Sequence, residues 1–191
     1  MTKCQFFCIM AVMIEKLIQS KKIYSGRILN FYVDSISLPN GKDALREYIR
    51  QPSAAAVIPF IDNNRIVLVK QYRYPVKKIT YELPAGKIDA GEKAIDCIGR
   101  ELSEETGFTS DNIKKLISFY PSPAFSTEKL HIFVAKNLKV AKTHPDDDEF
   151  IEAVVVKYKE ALKWIETGKI ADAKTIIGLL YYQWTSEYQV V

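Results

Sequence analysis

Cysteine is scarce in this chain, with only Cys4, Cys8 and Cys97 among 191 residues. An odd number in no metal-ligand spacing excludes a disulfide framework and a zinc module. It fits a reducing compartment, so the expectation is a cytoplasmic protein. Histidine is rarer still: His131 falls in a strand-like segment and His144 in a polar loop. Neither belongs to a Ser-His-Asp or Cys-His set of the kind used in nucleophilic catalysis. There is no arginine-rich run, and the net charge of +4 is spread along the chain. That distribution excludes a nucleic-acid groove and weakly favours an anionic small molecule. The one long apolar run, MTKCQFFCIMAVM, is too short to span a bilayer and lacks a small-residue cleavage site. It reads as part of a flexible extension over residues 1–21, and Met13 offers an alternative start that would leave Met1–Val12 outside the native protein.

What is present suits one α/β domain: 48% of residues are hydrophobic and 26% charged, with no internal repeat or low-complexity linker. A chain of this size buries a full core without disulfides. Alternating β-branched and aromatic residues predict a strand over Ile23–Ile36, a turn at Leu38–Gly41 and a second strand over Ala44–Arg50. Together they form an antiparallel β arm over residues 22–50, ahead of a main domain over 51–191. Ala54–Phe60 and Arg65–Tyr74 read as a hairpin around Asp62-Asn63-Asn64, and Tyr81–Ala85 as a short strand. Further strands are expected at Ile113–Tyr120, Leu130–Ala135 and Phe150–Lys157. Helices are expected at Tyr158–Thr167 and about Ala171–Trp184.

The most informative stretch is GKIDAGEKAIDCIGRELSEETGF, residues 86–108. Gly91 and Gly107 bracket a helical segment in which Ile95, Ile98 and Leu102 form an apolar seam. Glu101 and Glu105 stack one turn apart on its flank. Like charges at i,i+4 weaken an isolated helix, so structure alone gives no reason for them. A divalent cation does, because hard ions such as Mg²⁺ take carboxylate oxygens. A solvated acidic face is the alternative for a generic E-x-x-E-E.

The spacing here, G-x5-E-x7-R-E-L-S-E-E-T-G-F, is far more specific and resembles the Nudix box at every fixed position. The resemblance implies a Nudix-type α/β/α sandwich with a mixed sheet, which cleaves a nucleoside diphosphate linked to another group. It implies Mg²⁺ as cofactor, with Mn²⁺ as a substitute, held by Glu101, Glu105 and the backbone carbonyl of Ala85. Glu104 either assists or points to solvent. Arg100 and Glu92 would form a charge pair that orients helix and loop.

Features outside the box resemble the ADP-ribose pyrophosphatase branch of that family. Pro123 lies sixteen residues beyond Gly107, in SPAFSTEKLHIFVA, and Gln71–Pro75 and Glu82–Gly86 precede the box as they do in that branch. On this resemblance Arg73 and Arg46 would hold the phosphates or the terminal ribose, Arg46 having a surface salt bridge as its other reading. Arg27 stands near the position of an adenine-stacking aromatic, a departure that leaves the adenine contact to Arg27, Tyr24 or Tyr32. In the loop Asp146–Glu149, Glu149 would contact metal and Asp147 would act as base, unless the loop is a solvated turn. The implied activity is Mg²⁺-dependent hydrolysis of ADP-ribose by a homodimer that exchanges its β arms. NADH, a dinucleoside polyphosphate or another ADP-sugar are alternative substrates, and a non-catalytic nucleotide-sugar sensor is the alternative class.

Overall fold

The computed structural model describes residues 13–141 and 150–188, the last two without their side chains. Asp147, Glu149 and Met1–Val12 therefore lie outside the described residues. The chain divides into two compact units. One comprises Met1–Gln51 with Ser122–Glu128, the other Pro52–Pro121 with Lys129–Val191.

In the first unit three antiparallel strands run in order, β1 (Lys16–Ser25), β2 (Asn30–Ser37) and β3 (Asp43–Arg50). The single strand expected over Ile23–Ile36 is instead two, reversed at Gly26–Leu29, where the Gly26 N–H donates to the Leu29 carbonyl. The first strand begins at Lys16, inside the stretch assigned to the extension, because β2 supplies it with a full antiparallel ladder. Ser122–Glu128, assigned by linear order to the main domain, packs with this unit. The Ile49 N–H donates to the Phe125 carbonyl, and the Thr127 N–H to the Ile49 carbonyl.

In the second unit β4 (Ala54–Pro59) is the central strand and is buried throughout. Its residues alternate between two cores, as a period of two requires. Ala54, Ala56 and Ile58 face a cluster with Leu83, Ile132, Tyr158 and Leu179. Ala55 and Val57 face a second with Cys97, Ile98, Leu102 and Phe133. The sheet order is β7 (Ala85–Lys87), β4, β10 (Leu130–Lys136), β9 (Asn112–Phe119). It is mixed, since β4 and β10 are parallel while the other pairs are antiparallel.

Helix α1 (Ala94–Thr106) covers one face, and α2 (Tyr158–Glu166) and α3 (Ala173–Tyr188) cover the other. This is the expected α/β/α sandwich. A second sheet, in order β12 (Ile151–Lys157), β5 (Arg65–Arg73), β6 (Lys78–Glu82), is wholly antiparallel. A short pair joins β8 (Phe108–Thr109) to β11 (Lys139–Val140).

The hairpin expected from Ala54–Phe60 and Arg65–Tyr74 does not form. A single bridge, Phe60 to Ile66, links the two strands, and the chain then parts into different sheets. Both edges of β4 are already taken by β7 and β10, so β5 pairs with β6 and β12 instead. The turn itself is as read, with the Asp62 carboxylate accepting from the N–H groups of Asn64 and Arg65.

Candidate active site

Helix α1 lays Cys97, Ile98, Leu102 and Glu105 against the sheet. Ile95, expected in the seam, is 45% exposed. The buried face is centred nearer Glu105, so Ile95 falls at its margin. An acid at the middle of a buried helix face needs hydrogen-bond partners. Glu105, 8% exposed, accepts the Ala85 N–H at 2.9 Å on Oε2.

Glu101 sits one turn earlier and closes on the next residue of β7. A β-carbon built on Gly86 would lie 1.8 Å from Glu101 Oε1 and 2.0 Å from Cδ. Only a residue without a side chain leaves room for that carboxylate. Two carboxylates a turn apart are thus set against consecutive backbone units of one strand, Ala85 and Gly86.

Arg100 relieves their mutual repulsion. Its Nη1 donates to Glu101 Oε1 at 2.7 Å and to Glu104 Oε2 at 3.0 Å, and its Nε reaches Glu92 Oε1 at 3.4 Å. Glu92 in turn accepts the Asp89 N–H at 3.0 Å, which ties the loop before the helix to the helix itself. Burial would lower the Arg100 pKa, but Glu92, Glu101 and Glu104 together raise it. Glu104 is drawn to this arginine. Beside them the Cys97 thiol is pushed up to about 12, chiefly by burial and then by Glu92 and Glu101, so it is an unreactive packing residue.

The donor set suits a hard divalent cation: carboxylate oxygens of Glu101 and Glu105 beside a backbone left bare at Gly86. Among the described residues no three acidic, histidine or cysteine side chains are grouped to hold an ion. Mg²⁺ is characteristically bound by one or two carboxylates, with water and substrate phosphates completing its shell, so two glutamates and the Ala85 carbonyl fit the group.

Upstream of the box, Arg73 at the end of β5 forms a two-bond fork with Glu82 at the end of β6. Nε donates to Oε1 at 2.8 Å and Nη2 to Oε2 at 2.7 Å. Glu82 is 3% exposed and also takes Lys174 Nζ and, at 2.6 Å, the Thr80 hydroxyl. Burial pushes its carboxyl up, but Arg73, Lys174 and Thr80 outweigh that and hold it at about 2. Arg73 Nη1 takes no part in the fork, its side chain is 45% exposed, and the charge of Glu105 reaches it. It lines a cavity of about 720 Å³ with Pro75, Val76, Lys78, Ala171 and Lys174.

Glu82, Asp172, Lys174 and Thr175 were not singled out by sequence reasoning. Nothing local marked Glu82, the one buried residue of an otherwise exposed or half-buried strand; its lysine partner lies 92 residues away.

Arg46, Arg27 and Pro123 belong to the other unit. Arg46 on β3 pairs with Glu15, Nε donating to Oε2 at 2.9 Å, which matches its salt-bridge reading. Arg27 lies in the bend between β1 and β2. Pro123 lies in the loop whose Phe125 and Thr127 bond to β3. The structure thus brings together Ala85, Glu101 and Glu105, with Arg73 electrostatically in reach. His131 accepts or donates with the Ser118 hydroxyl at 2.7 Å, a strand-to-strand contact.

A family model described as the NUDIX domain matches residues 50–177. The ADP-ribose pyrophosphatase of Bacillus subtilis (strain 168) is 41% identical over 171 residues, covering 88% of this chain and 92% of that protein. The methanol dehydrogenase activator of Bacillus methanolicus is 42% identical over 171 residues, with the same 88% and 92% coverage. The crystal structure of an ADP compounds hydrolase matches with a TM-score of 0.83, over 92% of this chain and 96% of that one. At 20% identity that likeness speaks for the fold alone.

Proposed function

This chain belongs to the NUDIX family, whose members are generally dependent on a divalent metal, and we propose that it hydrolyses ADP-ribose with Mg²⁺ to AMP and ribose 5-phosphate. The observation that carries the hydrolytic reading is the closure of Glu101 and Glu105 on the Ala85–Gly86 backbone. The choice of ADP-ribose rests on the 41% likeness to the Bacillus subtilis enzyme across 88% of the chain.

A divalent cation in this seat would neutralise pyrophosphate charge and activate a water for attack on phosphorus. The chain's own residues hold and aim. Ala85 N–H fixes the Glu105 carboxylate, and Arg100 fixes Glu101. Arg73, pinned by Glu82 through two of its nitrogens, offers Nη1 to a phosphate oxygen, and a guanidinium suits that planar recognition. On the same reading Arg27, Arg46 and Pro123 contribute to substrate binding, Glu149 to the metal, and Asp147 is the base. The enzyme is a cytosolic homodimer built through its β arm.

A product panel tests the substrate. Incubated with Mg²⁺ and a set of nucleoside diphosphate derivatives, the protein should release AMP and ribose 5-phosphate from ADP-ribose with the highest kcat/KM. A tenfold preference for NADH, a dinucleoside polyphosphate or another ADP-sugar would replace ADP-ribose as the substrate. The 42% likeness to a protein named as a methanol dehydrogenase activator favours a second reading, in which the chain serves a dehydrogenase partner. Stimulation of a methanol dehydrogenase with no turnover of the panel would select it.

A further inference from the structure

The connection from β6 to β7 is Leu83-Pro84, and it leads into the two residues against which the box glutamates are set. Proline has no N–H, so the donors around this connection are the Leu83 and Ala85 amides. Each is taken by a side chain from a different helix. Ala85 N–H goes to Glu105 of α1 at 2.9 Å, and Leu83 N–H goes to Thr175 Oγ1 of α3 at 2.8 Å. The Pro84 carbonyl accepts from Val57 N–H of β4 at 3.0 Å.

Thr175 is 0% exposed, and its hydroxyl is polarised in one direction. It donates to Asp172 Oδ2 at 2.6 Å, and the same oxygen accepts the Thr175 N–H at 3.0 Å. With its proton committed to Asp172, the oxygen is left to accept from Leu83. Lys174 adds a second tie, bonding Glu82 and reaching Asp172 at 3.1 Å.

Packing follows the same line three residues on. A β-carbon on Gly178 would stand 2.9 Å from Leu83 Cδ1 and 3.2 Å from Ile132 Cδ1. Positions 175 and 178 share a helix face, so the start of α3 meets Leu83 with a hydroxyl and then with bare backbone.

We propose that Thr175 is a positioning residue for the metal seat: through Leu83 it fixes the connection whose next residues, Ala85 and Gly86, receive Glu105 and Glu101. It touches neither substrate nor metal, and the proposal rests on the reading of Glu101 and Glu105 as metal ligands. Thr175→Val keeps the shape but leaves a buried N–H and a carboxylate oxygen each short of a partner. Small displacements of a catalytic frame are costly, and an error of about 1 Å can remove ~10²-fold in rate.

The test compares Thr175→Val, Thr175→Ser and Glu105→Gln with the wild type. Mn²⁺ binding is followed by electron paramagnetic resonance without substrate, and kcat and KM are measured alongside. Thr175→Val should weaken Mn²⁺ binding at least ~5-fold and lower kcat ~10- to 100-fold, with KM within about threefold of wild type. Thr175→Ser should return both to within about threefold. Wild-type Mn²⁺ affinity and kcat in Thr175→Val overturn the proposal, as does a serine variant as impaired as the valine, since methyl packing would then be the cause. Mn²⁺ binding that Glu105→Gln leaves unchanged overturns the metal-site reading, and the proposal with it.

Should Thr175→Val not fold, hydrogen exchange on the wild type decides. The Leu83 and Ala85 amides should be protected together and slow further when Mg²⁺ is added. Free exchange at Leu83 overturns the proposal.

Discussion

The carboxylate of Glu101 occupies the space that a β-carbon on residue 86 would need, only 1.8 Å from the ideal position of that atom. The clash is with the far end of a flexible side chain, so the fold has an inexpensive escape: Glu101 moves. Gly86→Ala should therefore keep the melting temperature within a few degrees of wild type while lowering kcat by at least ~10-fold, about 1.4 kcal/mol of barrier. Thermal unfolding and steady-state kinetics on the same preparation check this. A fully active Gly86→Ala enzyme would show that the Glu101 carboxylate is not needed where the structure puts it.

Glu105→Gln removes one negative charge and keeps an oxygen to accept the Ala85 N–H. Folding should survive, and kcat at saturating Mg²⁺ should fall at least ~10³-fold, about 4 kcal/mol of barrier. Turnover near that of the wild type would remove Glu105 from the metal site.

Glu82 makes acid stability a test of the Arg73 fork. Its carboxyl is held at about 2 against an ordinary 4.5, because Arg73, Lys174 and Thr80 outweigh the effect of burial. A depressed folded-state value gives stability that is complete above the ordinary range and is lost as pH falls through it towards 2. The wild type should lose on the order of 3 kcal/mol from this group over that window. Glu82→Gln should melt lower at neutral pH and show a flatter dependence of melting temperature on pH between about 5 and 2. Parallel melting curves for the two proteins would mean that the fork adds nothing to stability.

The loop acids Asp147 and Glu149 stand on sequence alone. On the proposed reading the box glutamates would be engaged by metal, so a base would have to come from elsewhere, and a polar sequence such as Lys142–Asp148 suits that role. Asp147→Asn should cut kcat with little change in KM, whereas Glu149→Gln should alter the Mg²⁺ dependence as well as the rate. If both variants keep more than about a tenth of wild-type kcat, a change below ~1.4 kcal/mol, the loop is a solvated turn.

Strand β1 is exposed along its whole length, yet it carries Leu17, Ile18, Ile23 and Tyr24. Apolar side chains gathered on an exposed strand mark an interaction surface. Light scattering should give about twice the 21.8 kDa chain mass. Replacing Leu17 and Ile18 with serine should shift the protein towards monomer.

The box was legible because its chemistry is local. Glu101, Glu105 and Arg100 lie within two turns of one helix, where a spacing of three or four residues fixes which side chains are neighbours. Most strands were legible too, since alternation and length report burial directly, whereas the sandwich was legible only through the resemblance that the box carries. Three matters were not, and each depends on residues that are distant in sequence. The Ala54–Phe60 and Arg65–Tyr74 segments read as a hairpin, but β10 and β7 had filled the edges of β4, and edge occupancy is a property of the whole sheet. Ile95 read as core from helical period alone. Which way the helix rolls on the sheet was set by Cys97, Ile98 and Leu102 meeting Ala55, Val57 and Phe133. Glu82 read as part of a family phrase, with nothing to say that it holds Arg73, Lys174 and Thr80 at once. Sequence by itself determined the helix that carries the acids. Only the tertiary structure decided where their carboxylates rest, because the Ala85 amide, the bare Gly86 and the Thr175 hydroxyl come together through packing rather than through spacing.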